Sequence, residues 1–322
     1  MQRTKAGGTQ SRPFSLKVDV PNGFSESPGA SPTHDRPRRK VSKTLTWDDI
    51  PPWQRDNEHI LTGYRHVQNS WRGCIGSVFG YLHNETINIH SHLLGAALFL
   101  LILCSFQTIW VAGYASASWV DTSLLATFLL SAIFCLSGSA TFHAAIGHSE
   151  QVFRQCHALD YSGIVVLIVG SFIPCLYYGF YCEPLAQTFH LGLIFSAGAG
   201  AAYTVLNPEY AKPSHRGART GVFIGLGLTA IVPVTQLVFT RGSVMFSEMG
   251  FGWLLLSGAL YIFGALIYAN RIPERLSPGQ FDYFFASHQI FHVCVVLAAL
   301  AHWVCLISSF QHWHSKPDAC LV

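Results

Sequence analysis

The sequence predicts an all-α membrane protein, a seven-transmembrane helix bundle with its N-terminus in the cytoplasm and its C-terminus outside. Three observations lead there. Half of the 322 residues are hydrophobic and only 11% are charged, whereas an ordinary soluble domain carries roughly 25% charged residues. Seven runs are apolar and long enough to span a bilayer, which takes about 20 residues. Lipid admits only helices or closed barrels, because every backbone polar group must be paired internally. These runs are too long and too evenly apolar for barrel strands.

The elements follow in order. Residues 1–44 are rich in Ser, Pro, Gly and charge; they cannot bury enough apolar surface, so a disordered cytoplasmic tail is expected. No apolar core near Met1 makes a secretory signal. The basic cluster RPRRK at 36–40 reads as a solvated patch that helps set orientation, with contact to anionic headgroups as the alternative. Residues 45–85 mix tryptophans with acids in an apolar rhythm and are expected as a juxtamembrane amphipathic segment. Spans are expected at 89–111, 122–144, 159–180, 187–206, 219–239, 250–270 and 286–308, within a seven-helix domain at 86–310. A short outer tail, 311–322, closes the chain. Pro174 and Pro233 interrupt spans 3 and 5 and are expected to kink them.

Orientation follows from Lys and Arg in the short flanking segments. With the N-terminus inside, the inner segments carry Arg65, Arg72, Arg154, Lys212, Arg216, Arg219, Arg271 and Arg275, against Arg241 and Lys316 outside. That is opposite to the G-protein-coupled receptors, whose DRY and NPxxY features are absent. The nine cysteines form no CxxC pair, which excludes a zinc ribbon or dithiol motif. Cys104, Cys135, Cys294 and Cys305 read as small hydrophobes inside spans. Cys182 falls in an outer loop, where a disulfide is open but no partner stands out.

Ionisable residues gather at one edge. Span 2 ends near His143, span 3 begins with Asp160, and span 7 begins with ASHQIFHVCVV, carrying His288 and His292. Two histidines four apart share a helix face one turn apart, so both imidazoles can meet one metal ion, and His143 can supply a third nitrogen. Three protein ligands plus a water is the pattern of a catalytic zinc site. Zinc lowers the pKa of a bound water to about 7. Asp160 is a fourth ligand or the group that holds that water and moves its proton. Ser139, four residues before His143, shares its face and can donate a hydrogen bond to a substrate carbonyl or to the water. Its plainer role is a small residue easing helix packing. A second cluster, Glu85, Asn88, His90 and His92, opens span 1. A structural role is favoured there, with Glu85 placed to cap the helix and a second metal site as the weaker alternative. His148 and His157 read as surface histidines of the inner loop; His302, His312 and His314 lie toward the opposite face.

These residues carry a resemblance. Glu-x-x-Asn-x-x-x-His (Glu85, Asn88, His92), Ser-x-x-x-His followed by Asp (Ser139, His143, Asp160) and His-x-x-x-His (His288, His292) resemble the progestin and adiponectin receptor family, also called haemolysin III-related. Longer runs, LDYSGI, GSFIP, LYYGFYC, GVFIGLGL, ANRIPER and SHQIFHV, resemble the adiponectin receptors in particular and point to a fungal member. The match covers roughly 45–310. The resemblance implies zinc on His143, His288 and His292, with Asp160 and Ser139 near its water as catalytic residues. It also implies hydrolysis of ceramide to sphingosine and a fatty acid, and, from fungal relatives, zinc and sterol homeostasis. His90 departs from the aromatic residue of the adiponectin receptors, and the N-terminal tail has no counterpart.

Three functions compete. The first is a zinc amidohydrolase acting on ceramide-like lipid within the bilayer. The second is a receptor with a structural zinc and no turnover. The third is a zinc or proton transporter, disfavoured because no polar ladder crosses to the outside and no matched pair of broken helices is evident. The expected cofactor is Zn2+. The expected partners are a sphingolipid and, in the receptor case, an extracellular protein; nucleic acid is not among them. Plasma membrane and endoplasmic reticulum both fit.

Overall fold

The computed structural model describes residues 42–207, 209–210, 213–316 and 320. The expected disordered tail falls outside them apart from residues 42–44. Among the described residues, seven helices are long and apolar enough to cross a membrane, and the chain is a multi-pass membrane protein.

Residues 45–85 are more broken than a single amphipathic element. Strands β1 (Thr44–Leu45) and β2 (Tyr64–Arg65) pair antiparallel, Thr44 opposite Arg65. Two 3-10 turns lie between them, and helix α1 (Trp71–Gly80) follows, capped by Ser70. Prolines 51 and 52 and the acids of WDDIPPW prevent a continuous helix here. The segment folds back over one end of the bundle. Asp282 accepts from the amides of Leu61 and Thr62, and Asp56 pairs with Arg216.

The spans begin with α2 (Thr86–Phe106), which widens into a π-type turn over Gln107–Val111. Next comes α3 (Trp119–Ala145), opened by a capping box in which Asp121 and Ser118 satisfy each other's backbone. Helix α4 (Glu150–Gly179) starts nine residues before the expected 159, because Ser149 caps it and the polar run EQVFRQCH continues the helix outward. His157 therefore lies on a helix, not in a loop. It is half-buried, with its ring centroid 4.1 Å from that of Tyr161. Pro174 sits inside α4.

Helix α5 is Pro184–Leu206. The fifth span is two helices, α6 (Arg216–Leu228) and α7 (Ile231–Arg241). The break falls at Thr229–Ala230, where Pro233 lacks the N–H that the Thr229 carbonyl would need. The proline thus interrupts the span rather than only bending it. A short α8 (Val244–Ser247) leads to α9 (Phe251–Asn270), and α10 (Ser287–His314) closes the bundle.

Helix α3 packs along α2 and α4, and α10 lies along α9 while also touching α2, α3 and α4. The most apolar window of α10 is 61% buried and that of α3 56%, against 17% for α6–α7, so α3 and α10 are the inner helices. Close approach of α4 to α3 depends on glycine: a Cβ on Gly163 would stand 2.8 Å from Cα of Cys135. Leu94, Leu101, Phe195, Phe239 and Leu255 point outward, where lipid replaces water. Cys135, Cys294 and Cys305 are buried as expected, whereas Cys104 is exposed on the outer face of α2. Cys182 has a partner after all, bonding to Cys320 across 138 residues. That pairing was illegible because no local spacing links them.

Candidate metal centre

His143 ends α3, and His288 and His292 occupy the first two turns of α10. Their rings form a three-bladed arrangement. Centroids of His143–His288, His143–His292 and His288–His292 are 4.9, 4.7 and 4.8 Å apart, with planes at 79°, 77° and 80°. One nitrogen from each lies within 4.8 Å of the others. A tetrahedral zinc, with nitrogens at ~2.0–2.1 Å, would draw them to about 3.4 Å from one another, a closure within reach of small ring rotations.

His143 is 1% exposed, and its Nε2 has no hydrogen-bond partner. A buried imidazole nitrogen left unpaired is unfavourable, and an ion would satisfy it. Three imidazoles drawn this close together also suit the borderline-soft chemistry of zinc. The residues present fit the metal.

Asp160 and Ser139 are both buried beside the cluster. The two interact with each other, and His143 acts on the Asp160 carboxylate. Asp160 is outside the set of mutually close ligand atoms, which favours its role toward water over direct ligation. The structure thus brings together all five residues singled out by sequence. His302 bonds the Ser171 carbonyl, and His314 bonds Asp121, both away from this centre.

The second polar cluster is not a separate centre. Glu85 and Asn88 line a cavity of about 60 Å³ together with His288, Arg216, Tyr268 and Glu274, enough for a few water molecules. Burial pushes the Glu85 carboxyl up. The neighbouring His143, and hydrogen bonds from His143 and Asn88, outweigh it and hold the group well below the usual carboxylate range. Glu274 is fully buried and accepts from the amide of Ser287 at 2.8 Å, which anchors the start of α10. Arg65 is buried too and donates to the main-chain carbonyls of His143 and Ala144, closing the C-terminal end of α3. Arg65 and Glu274 were missed by sequence reasoning. Arg65 reads in the sequence as an ordinary topology-setting charge, and Glu274, in the polar run ANRIPERLSPGQ, as a solvated loop acid.

Comparisons with known proteins agree with this architecture. The haemolysin-III related family model matches residues 80–303. An ADIPOR-like receptor, IZH2 of Saccharomyces cerevisiae, is 37% identical over 301 residues, 91% of this chain and 92% of the yeast protein. Progestin and adipoQ receptor-like protein 1 of Caenorhabditis elegans is 37% identical over 89% of this chain, which spans 65% of the worm protein's length. The adiponectin receptor protein of Drosophila melanogaster is 38% identical over 81% of this chain and 58% of its own. With most of its length matched and its histidine centre in place, this chain belongs to the haemolysin-III related family of adiponectin receptor-like, seven-helix membrane proteins.

Proposed function

We propose that the chain is a zinc-dependent membrane hydrolase that cleaves ceramide-like sphingolipid amides and thereby signals in lipid and zinc homeostasis. The observation that carries this reading is the convergence of three histidines from two helices, His143 and His292 buried and His288 partly so, with an unpaired nitrogen on His143, beside a buried Asp160–Ser139 pair. His143, His288 and His292 would hold the ion. Zinc, when bound, supplies Lewis-acid polarisation and a more acidic water.

The chain's own residues do the rest. Asp160 accepts a proton from the attacking water and returns it to the leaving amine. Ser139 donates a hydrogen bond that orients the Asp160 carboxylate or the substrate carbonyl. The cavity lined by Glu85, Asn88 and His288 would hold water beside the centre. Acyl and sphingoid chains would lie among the apolar side chains of the spans.

In this reading the centre lies on the cytoplasmic side, with residues 42–85 inside and the end of α10 outside. Charge asymmetry supports this, and so does the Cys182–Cys320 disulfide at the other end, since disulfides persist in oxidising compartments. Plasma membrane and endoplasmic reticulum both satisfy that arrangement.

The test is release of free fatty acid from ceramide by the purified protein, with and without a zinc chelator. Chelator-sensitive release supports the hydrolase. Folded, zinc-loaded protein that releases nothing from several ceramides would favour a receptor whose zinc is structural. That second reading draws on the relatives' names, which describe receptors. An extracellular protein ligand would then be its partner.

A further inference from the structure

The first two turns of α2 converge on the histidine centre in three ways. Glu85 occupies the N-cap position of α2, yet its side chain makes no capping hydrogen bond. Its Oε2 instead accepts from Nδ1 of His143 at 2.7 Å and from Nδ2 of Asn88 at 2.7 Å. The main-chain carbonyl of Asn88 accepts from Nδ1 of His292 at 3.0 Å. One turn on, the His92 ring lies face to face with His292, centroids 3.7 Å apart and planes 8° from parallel. Neither nitrogen of His92 has a hydrogen-bond partner.

A carboxylate at an N-cap ordinarily turns inward to the first-turn amides. Glu85 forgoes it, so what it meets outside the helix sets its position. An imidazole that donates its Nδ1–H keeps its lone pair on Nε2. His143 donates to a carboxylate and His292 to a main-chain carbonyl. These are the two supports that metal-binding histidines generally have.

We propose that Glu85, Asn88 and His92 are positioning residues for the metal centre. They fix His143 and His292 in the tautomer and ring orientation that presents Nε2 to the ion. This rests on the zinc reading above. Glu85 and the Asn88 carbonyl act by accepting hydrogen bonds, the Asn88 amide steadies the Glu85 carboxylate, and His92 acts through its ring face, which blocks rotation of His292. His288 is held separately, its ring 4.8 Å from that of Tyr268. Helix α2 therefore contributes no ligand but supports two of the three.

The experiment is zinc titration of the purified full-length protein against a chromophoric chelator, with size-exclusion profiles confirming assembly. Glu85→Ala weakens zinc binding by roughly 10–100-fold. Glu85→Gln, whose amide oxygen still accepts from His143, weakens it less and serves should the alanine variant fail to assemble. His92→Phe, which keeps the ring, binds zinc like the unaltered protein, while His92→Ala binds more weakly. His302→Gln, remote from the centre, leaves affinity unchanged. Equal affinity in the unaltered protein and both Glu85 variants would overturn the positioning role. Loss in His92→Phe as large as in His92→Ala would overturn the ring-face role. An unaltered protein that binds no zinc would instead overturn the zinc reading itself.

Discussion

Nε2 of His314 lies 3.0 Å from Oδ1 of Asp121, and both side chains are buried at the end of the bundle remote from His143. The Tyr178 hydroxyl donates to the same carboxylate at 3.0 Å, and the amide and hydroxyl of Ser118 donate to its other oxygen at 2.8 and 2.9 Å. Helices α3, α4 and α10 are thereby joined at one point. Directly below, the indole of Trp313 donates to the Tyr178 carbonyl at 2.6 Å.

That lock should be felt in stability. Asp121→Ala removes the shared acceptor and leaves His314 and Tyr178 buried without it, so a loss of about 3 kcal/mol or more is expected. Thermal unfolding in detergent reads this directly. The double variant Asp121→Ala, His314→Leu should lose less than the sum of the two single changes, because the second change removes the group left unpaired. Strict additivity would mean the pair is not coupled.

Asp160→Asn keeps the shape of the centre and removes its proton acceptor. Zinc content should be preserved while fatty-acid release from ceramide falls by roughly 10²–10⁴-fold. Parallel measurement of metal content and turnover separates this from a loss of folding. Undiminished turnover would remove Asp160 from the chemistry.

Helix α4 can approach α3 only where side chains are missing. Gly163→Val places a methyl-bearing carbon on the Cys135 backbone, 2.8 Å from its Cα before any relaxation. Backbone cannot yield as a flexible side chain does, so destabilisation of about 1–3 kcal/mol is expected. Because Gly163 is three residues from Asp160, the displacement should also weaken turnover. A melting temperature equal to that of the unaltered protein would show that the two helices have slack.

His83 gives a pH signature. Burial first, and Arg65 second, push its pKa down to about 3, against partial opposition from Glu85. His83 is thus neutral when folded, its Nδ1 accepting the Glu85 amide at 3.2 Å, and protonated in the unfolded chain below about 6.5. The unfolded state binds more protons between those values, so stability falls as pH drops from about 6.5 toward 3. The loss from this group at pH 5 is about 2 kcal/mol. His83→Asn should flatten the dependence of melting temperature on pH in that window; an unaltered slope would assign it elsewhere.

Orientation can be read chemically. In sealed microsomes, a cysteine placed at Lys43 should react with a membrane-impermeant maleimide. Cys182 and Cys320 should become reactive only after permeabilisation and reduction. The converse pattern would invert the bundle.

Composition and run length by themselves determined the class of this protein and the number of its spans, because burying a backbone in lipid leaves helices as the solution once the runs are long and uninterrupted. Spacing placed His288 and His292 on one face, because helical periodicity is a local property. The His143–Asp160 edge was legible because spans alternate direction, which puts the end of one beside the start of the next. Only tertiary structure could turn Glu85 from a helix cap into a partner of His143, since cap and ligand support differ by a side-chain direction that one helix alone does not set. The same holds for Cys182 and Cys320, for Asp121 and His314, and for Arg65 on the last carbonyls of α3. Each joins residues dozens of positions apart, and such pairs are fixed by how helices pack around α3 and α10, which no local pattern records.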